Sequence, residues 1–222
     1  MNNKKTFRFY IALWVAKGVS FILKLTGRNA TSLPGKIAIK ICPDFLGRLE
    51  KPKTIIGVTG TNGKTTVCNI INDILTANKF DFINNKYGSN IDRGVATTLI
   101  QGSTILGKAK KDLAILEIDE RSTRKIFPYI TPTYLVCTNI FRDSLMRHAH
   151  TEYISEILSK YIPKETIMIE NADDLISSQI AENNKKIYFS IDRLPTDSDH
   201  CENLTRDISC LLYTSPSPRD RT

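Results

Sequence analysis

No two cysteines in the 222 residues stand at the Cys-x-x-Cys spacing of a zinc half-site or a redox pair. The five present, Cys42, Cys68, Cys137, Cys201 and Cys210, are scattered and odd in number, which argues against a disulfide-stapled secreted domain. The opening Met1-Asn2-Asn3-Lys4-Lys5 does not read as a cleavable signal with a small-residue exit site. A reduced, cytoplasmic compartment is therefore expected. Internal repeats and long low-complexity tracts are also lacking. No uninterrupted apolar run reaches the roughly 18 to 20 residues of a membrane span, because Lys17 and Lys24 break the longest candidate.

Acidic residues are scarce at one end only. Eleven Lys and Arg stand against Asp44 and Glu50 in residues 1–53, whereas the remainder carries 20 basic and 21 acidic groups. The net charge of +8 thus belongs to the N-terminal segment, and an electrically balanced body gives no reason to expect a nucleic-acid partner.

Within that basic segment, residues 7–25 are apolar on most sides, with Lys17, Ser20, Lys24 and Arg28 recurring at helical spacing as a polar stripe. An amphipathic helix is predicted, and two placements stay open: packed on its own domain, or lying on the anionic inner face of the membrane. After a turn-rich stretch, residues 36–49 read as one helical segment leading to Pro52.

From Thr54 onward strands alternate with helices. Residues 54–59, 80–83, 113–118, 134–137, 166–169 and 187–189 read as strands; residues 64–77, 94–100, 120–127, 151–161 and 173–181 read as helical. This alternation predicts an α/β fold, a mostly parallel sheet flanked by helices, with 41% hydrophobic composition enough for one substantial core plus an appendage.

The chemistry is concentrated at strand ends. Gly60-Thr61-Asn62-Gly63-Lys64-Thr65-Thr66 joins the first strand to the next helix, which gathers backbone N–H groups and a helix N-terminus around one point and suits a polyphosphate. Lys64 can reach the β- and γ-phosphates of ATP, and the Thr65 hydroxyl can ligate Mg²⁺ beside them. The loop is a short Gly-x-x-Gly-Lys-Thr form, with Val58 where longer P-loops begin on glycine. Leu113-Ala114-Ile115-Leu116-Glu117-Ile118-Asp119-Glu120 is a buried-type strand running into three carboxylates, and the end of a neighbouring parallel strand is where such a sheet places a metal ligand. Glu117 is the first candidate and Asp119 the second. Asp119 and Glu120 also suit the start of a helix.

The loop resembles the ATP loop of the Mur ligases and folylpolyglutamate synthases. Further stretches are similar to the branch of that superfamily formed by the synthetase subunits of lipid II isoglutaminyl synthase: Ser32-Leu33-Pro34-Gly35-Lys36 with Ile41-Cys42-Pro43, Asn85-Lys86-Tyr87-Gly88-Ser89-Asn90, Leu116-Glu117-Ile118-Asp119-Glu120, and Thr138-Asn139-Ile140-Phe141-Arg142-Asp143. The resemblance implies a Mur-ligase-type central ATPase domain over residues 54–192, after the N-terminal basic helical segment 1–53. It implies activation of the D-glutamate (isoglutamate) carboxylate of the lipid II stem peptide as an acyl phosphate, then amide formation with ammonia from a separate glutaminase subunit, GatD, in a heterodimer. By the same resemblance Asn90 orders the substrate or metal site, and Asn139, Arg142 and Asp143 line the nucleotide pocket. The plain alternatives are a turn cap for Asn90 and a surface ion pair for Arg142 with Asp143.

Where relatives continue after Asp143 with a second Asp and an aromatic-Gly-Glu run, this chain has Met146, His148, Ala149 and His150. The branch also carries a four-cysteine zinc ribbon; Cys201 and Cys210 are too widely spaced for one half of it, so the resemblance leaves room for zinc in a full-length protein and none is expected in these residues. Residues 193–210 would begin that insertion. The string Leu211-Leu212-Tyr213-Thr214-Ser215-Pro216-Ser217-Pro218-Arg219-Asp220-Arg221-Thr222 resembles translated adapter sequence, so residues 211–222 are expected to be non-native and the natural chain to continue. These 222 residues alone are accordingly expected to turn over no substrate. Two rivals remain: another ligase of the superfamily, folylpolyglutamate- or cyanophycin-type, and an ATP-binding scaffold that ligates nothing.

Overall fold

A computed structural model describes residues 4–86, 88–140 and 151–191. Six strands form one parallel sheet: β1 (Thr54–Thr59), β2 (Phe82–Asn84), β3 (Leu113–Glu117), β4 (Tyr134–Cys137), β5 (Ile167–Asn171) and β6 (Lys186–Phe189), in the order β2-β3-β1-β4-β5-β6. Parallel strands need a crossover between them, and the helices that supply it cover both faces. On one face, α4 (Lys64–Ala77) packs Val67, Cys68, Ile71 and Leu75 against Val58, Ile115 and Val136. The larger core lies on the other face, where α1 (Phe7–Leu25), α2 (Leu33–Ile41), α3 (Phe45–Arg48), α5 (Asp92–Gln101), α6 (Thr123–Ile126) and α7 (Thr151–Tyr161) surround Ala114, Leu116, Leu135 and Cys137.

α1 keeps its expected span. Thr6 caps it by accepting the Phe9 N–H, and Phe9, Ala12, Leu13 and Ala16 are buried against the domain, with Phe9 stacked on Phe45 at 5.2 Å between ring centroids. α2 approaches α5 closely at the Leu-Pro-Gly stretch: the Gly35 N–H donates to Thr97 Oγ1 at 2.9 Å, and a Cβ on Gly35 would stand 2.0 Å from the Arg93 carbonyl oxygen.

Two segments differ from the sequence reading. Residues 36–49 are two helices, because Pro43 has no N–H to give and pushes Cys42 into an extended conformation, φ −132° and ψ 96°. Residues 173–181 form turns with a single 3₁₀ segment, Ser177–Gln179. Here Asp174 spends its carboxylate on local and distant N–H groups, Ile176 at 3.1 Å and Ile140 at 2.6 Å, and Asp173 takes that of Ile191, so the side chains compete with a helical backbone.

Candidate nucleotide and metal site

β1 lies between β3 and β4, and the chain crosses from one side of it to the other between those two strands. At such a reversal the connections diverge above the carboxyl ends of the strands and leave a crevice. The loop after β1, the end of β3 and the end of β4 all open into it.

The loop is built around its glycines and braced by β4. Gly60 has φ +122°, and a Cβ there would stand 2.2 Å from Thr138 Oγ1; Gly63, at φ +81°, precedes the first turn of α4. Asn139 binds the loop backbone three times. Its carbonyl accepts the Thr61 N–H at 2.7 Å, its Oδ1 accepts the Asn62 N–H at 2.9 Å, and its Nδ2 donates to the Asn62 carbonyl at 3.2 Å. Thr138 Oγ1 donates to the same carbonyl at 2.7 Å. The shape of the loop is thereby set by β4 and by the left-handed glycines, leaving the N-terminus of α4 and its free N–H groups at the crevice.

Lys64 folds back across this loop. Its ammonium donates to the carbonyls of Gly60 and Thr61 and stands 3.4 Å from Glu120 Oε1, with both charged groups largely buried. Burial raises the Glu120 carboxyl above its ordinary value; Lys64 opposes the rise and the neighbouring Asp119 adds to it.

Glu117 ends β3 with every polar group engaged. Thr65 Oγ1 donates to Oε2 at 2.9 Å, Asn90 Nδ2 donates to Oε1 at 3.2 Å, and the Asn85 amide bonds both the N–H and the C=O of Glu117 at 2.8 Å each. A hydroxyl and a carboxylate so placed, beside a phosphate-shaped loop, fit a magnesium ion, which takes few protein ligands and keeps water and phosphate oxygens. Among the described residues no group of three or more His, Cys, Asp or Glu gathers elsewhere as a metal cage.

Residues 58–209 match the Mur ligase middle domain. The chain belongs to the Mur ligase family. Its relatives include the MurT subunit of lipid II isoglutaminyl synthase (glutamine-hydrolyzing) from Staphylococcus aureus, 34% identical over 78% of this chain and 39% of that protein. The same subunit from Streptococcus pneumoniae is 36% identical over 86% of this chain and 42% of that protein. The chain therefore spans about two fifths of the length of these MurT relatives. In fold it is similar to the MurF ligase of Thermotoga maritima, solved in complex with ADP, with a TM-score of 0.53 at 22% identity over 71% of this chain and 36% of that one.

Within this Mur ligase family member, the structure brings Gly60, Thr61, Asn62, Gly63, Lys64, Thr65, Thr66, Glu117, Asn90 and Asn139 around one crevice. Asn139 meets the crevice through the loop, its side-chain amide bonded to the Asn62 backbone. Asp119, second candidate for the metal, accepts the N–H groups of Arg121 and Ser122 at 3.1 Å and so caps the 3₁₀ segment Glu120–Ser122. Arg142, Asp143, His148 and His150 lie outside the described residues, as do Cys201 and Cys210. Sequence reasoning missed Asn85, Glu120 and Thr138 as site residues. Asn85, Thr138 and Glu120 each stood inside a stretch that carried the family resemblance, which was the available signal; Glu120 also ended the run of acids after β3.

Proposed function

We propose that this chain is the ATP-handling portion of an amide-forming ligase of peptidoglycan biosynthesis, acting on the D-glutamate (isoglutamate) carboxylate of the lipid II stem peptide. The observation that carries the reading is Glu117 at the end of β3, aligned by Asn85 and Asn90 and bonded to Thr65 of the phosphate loop. The likeness to MurT subunits supports the acceptor and the amide product.

The loop Gly60 to Thr66 would take the polyphosphate of ATP, with Lys64 leaving the Gly60 and Thr61 carbonyls for the β- and γ-phosphates. Thr65 and Glu117 would hold Mg²⁺, which when bound neutralises charge on the transferring phosphoryl group. The γ-phosphoryl group passes from ATP to a carboxylate oxygen, giving ADP and an acyl phosphate. Ammonia then attacks the acyl carbon, loses a proton and expels phosphate, leaving the amide. The chain's share of this is positioning and charge neutralisation, which dominate phosphoryl transfer. Asn90 would order the acceptor or the metal through its bond to Glu117, and Arg142 and Asp143 would contribute to the nucleotide pocket.

Ammonia would come from a GatD-like glutaminase subunit in a heterodimer. Cys42, Cys68 and Cys137 are buried, and burial pushes the first two thiols up to about 11 and about 12 and the third well above its ordinary value, the opposite of an activated nucleophile. The place of action would be the cytoplasm, at the inner face of the membrane. Residues 54–192 would be the central ATP-binding domain and 1–53 its basic helical companion.

Calorimetric titration of the chain with ATP and Mg²⁺ tests the site: binding that vanishes in Lys64→Ala supports it, and unchanged affinity removes it. Amide formation on lipid II by the uninterrupted gene product with its glutaminase tests the reaction. The 222-residue chain, given lipid II, ATP, Mg²⁺ and ammonium, should form no amide above background, because it spans about two fifths of the length of the MurT relatives and an acyl phosphate left open to water hydrolyses.

A further inference from the structure

Helix α1 has two apolar faces, and the domain uses only one of them. Phe9, Ala12, Leu13 and Ala16 are buried. On the opposite side Phe7, Ile11, Trp14, Val15, Phe21, Ile22 and Leu25 share one helical face and are all exposed, Phe21 at 63% and Leu25 at 71%. A helix that only packed on its own domain would carry polar residues there.

The stripe is extended by the loop after α5, which the helix holds in place. Trp14 Nε1 donates to the Ile105 carbonyl at 2.9 Å, and Lys5 Nζ donates to the Leu106 and Gly107 carbonyls at 3.0 and 3.2 Å. Ile105 and Leu106, 68% and 52% exposed, thus stand beside the helix as part of one apolar surface. Along one flank runs a groove of about 880 Å³ lined by Lys17, Lys24, Arg28 and Lys110, with Phe21 and Ile105 also lining it and no carboxylate among its lining residues. Lys17 Nζ is tied to the Ile100 and Ser103 carbonyls at 2.7 Å each, leaving Lys24, Arg28 and Lys110 exposed to an outside anion.

We propose that this face of α1, with Ile105, Leu106 and the cationic groove, docks the protein on an anionic lipid surface. The apolar stripe enters the acyl boundary while Lys24, Arg28 and Lys110 meet the headgroups. The charge decides among occupants. A second copy would bring like-charged flanks together, because the chain has no acidic residue before Asp44 to pair across such an interface. A spanning role is excluded for α1, since no helix among the described residues is long and apolar enough to cross a membrane. The inference supplies the contact surface for the membrane location in the proposed ligase reading and rests on that reading only for the lipid-anchored substrate; its test involves no turnover, so either can fail alone.

Trp14 is the only tryptophan and sits in the stripe, so its emission reports docking directly. The chain is titrated with vesicles of phosphatidylcholine containing phosphatidylglycerol, and with phosphatidylcholine alone, with co-sedimentation in parallel. The expected result is a blue shift and co-sedimentation on the anionic vesicles, weakened by salt. A Lys24→Gln, Arg28→Gln, Lys110→Gln variant should lose about a hundredfold in partitioning, from roughly fivefold per cation. A Phe21→Ser, Leu25→Ser variant, at exposed positions that leave the melting temperature in place, should abolish the blue shift. No shift, equal binding to neutral vesicles, or a dimer in sedimentation velocity that already shields Trp14 would each overturn the proposal.

Discussion

Asn85 grips the main chain of Glu117 at both of its polar groups: Oδ1 accepts the Glu117 N–H and Nδ2 donates to the Glu117 C=O, each at 2.8 Å. β2 ends one residue earlier, at Asn84 paired with Ile115, so a side-chain amide takes over where the main-chain ladder stops. The effect is to fix the backbone of Glu117 as firmly as a strand would while leaving its carboxylate free for Thr65 and Asn90.

Asn85 is therefore expected to act on metal use through Glu117. Asn85→Asp keeps the acceptor and loses the donor, and Asn85→Leu loses both. The Mg²⁺ concentration needed for half-maximal ATP binding should rise about tenfold in Asn85→Leu, with roughly 1–3 kcal/mol of stability lost. Nucleotide affinity without Mg²⁺ should hold. Equal losses with and without the ion would mark Asn85 as purely structural.

Glu117 itself should matter for turnover and little for folding, because it is only partly buried and an amide can keep one of its side-chain bonds. In the full-length complex, Glu117→Gln is expected to lower kcat by at least about a hundredfold while the melting temperature stays within about 2 °C. A matched fall in both would reassign it.

Lys64 and Glu120 form a buried pair that ATP would have to open. Lys64→Ala should abolish ATP binding. Glu120→Gln removes a carboxylate that competes for the ammonium and repels phosphate, so ATP is expected to bind about three- to tenfold more tightly, corresponding to roughly 1 kcal/mol. Weaker binding in calorimetry would show instead that Glu120 positions Lys64 for the phosphates.

Glu170 supplies a pH-dependent term away from this pair. Its side chain is fully buried, with Lys186 Nζ 3.1 Å away, and neither oxygen has a hydrogen-bond partner among the described residues. Burial raises its carboxyl to about 7 from 4.5, against the pull of Lys186. Between those values the folded state holds a proton that the unfolded state has released, so stability is lost as pH rises through the window. The loss attributable to Glu170 should approach about 3 kcal/mol above pH 7. Urea unfolding at pH 5 and pH 8 checks it: the difference between wild type and Glu170→Gln should change by that order, and a pH-independent difference would refute the assignment.

Sequence alone determined the α/β alternation, the span of α1 and the order strand, loop, Lys64-Thr65, helix, because these depend on local periodicity and on residues a few positions apart. The same locality explains its errors: Pro43 splitting a helix, and Asp173 and Asp174 turning one into turns, are contests between side chain and backbone that periodicity does not register. What only the tertiary structure decided is which distant groups meet. Crossing from β3 to β4 over β1 is what sets Asn139 against Asn62 and Glu120 against Lys64, while the pairing of β2 with β3 brings Asn85 and Asn90 around Glu117. It also split the apolar residues of α1 between a buried face and an exposed one. A hydrophobic residue in a sequence declares that it avoids water, and the packing of α2 and α5 against one side of α1 settled which of those residues the domain itself would cover.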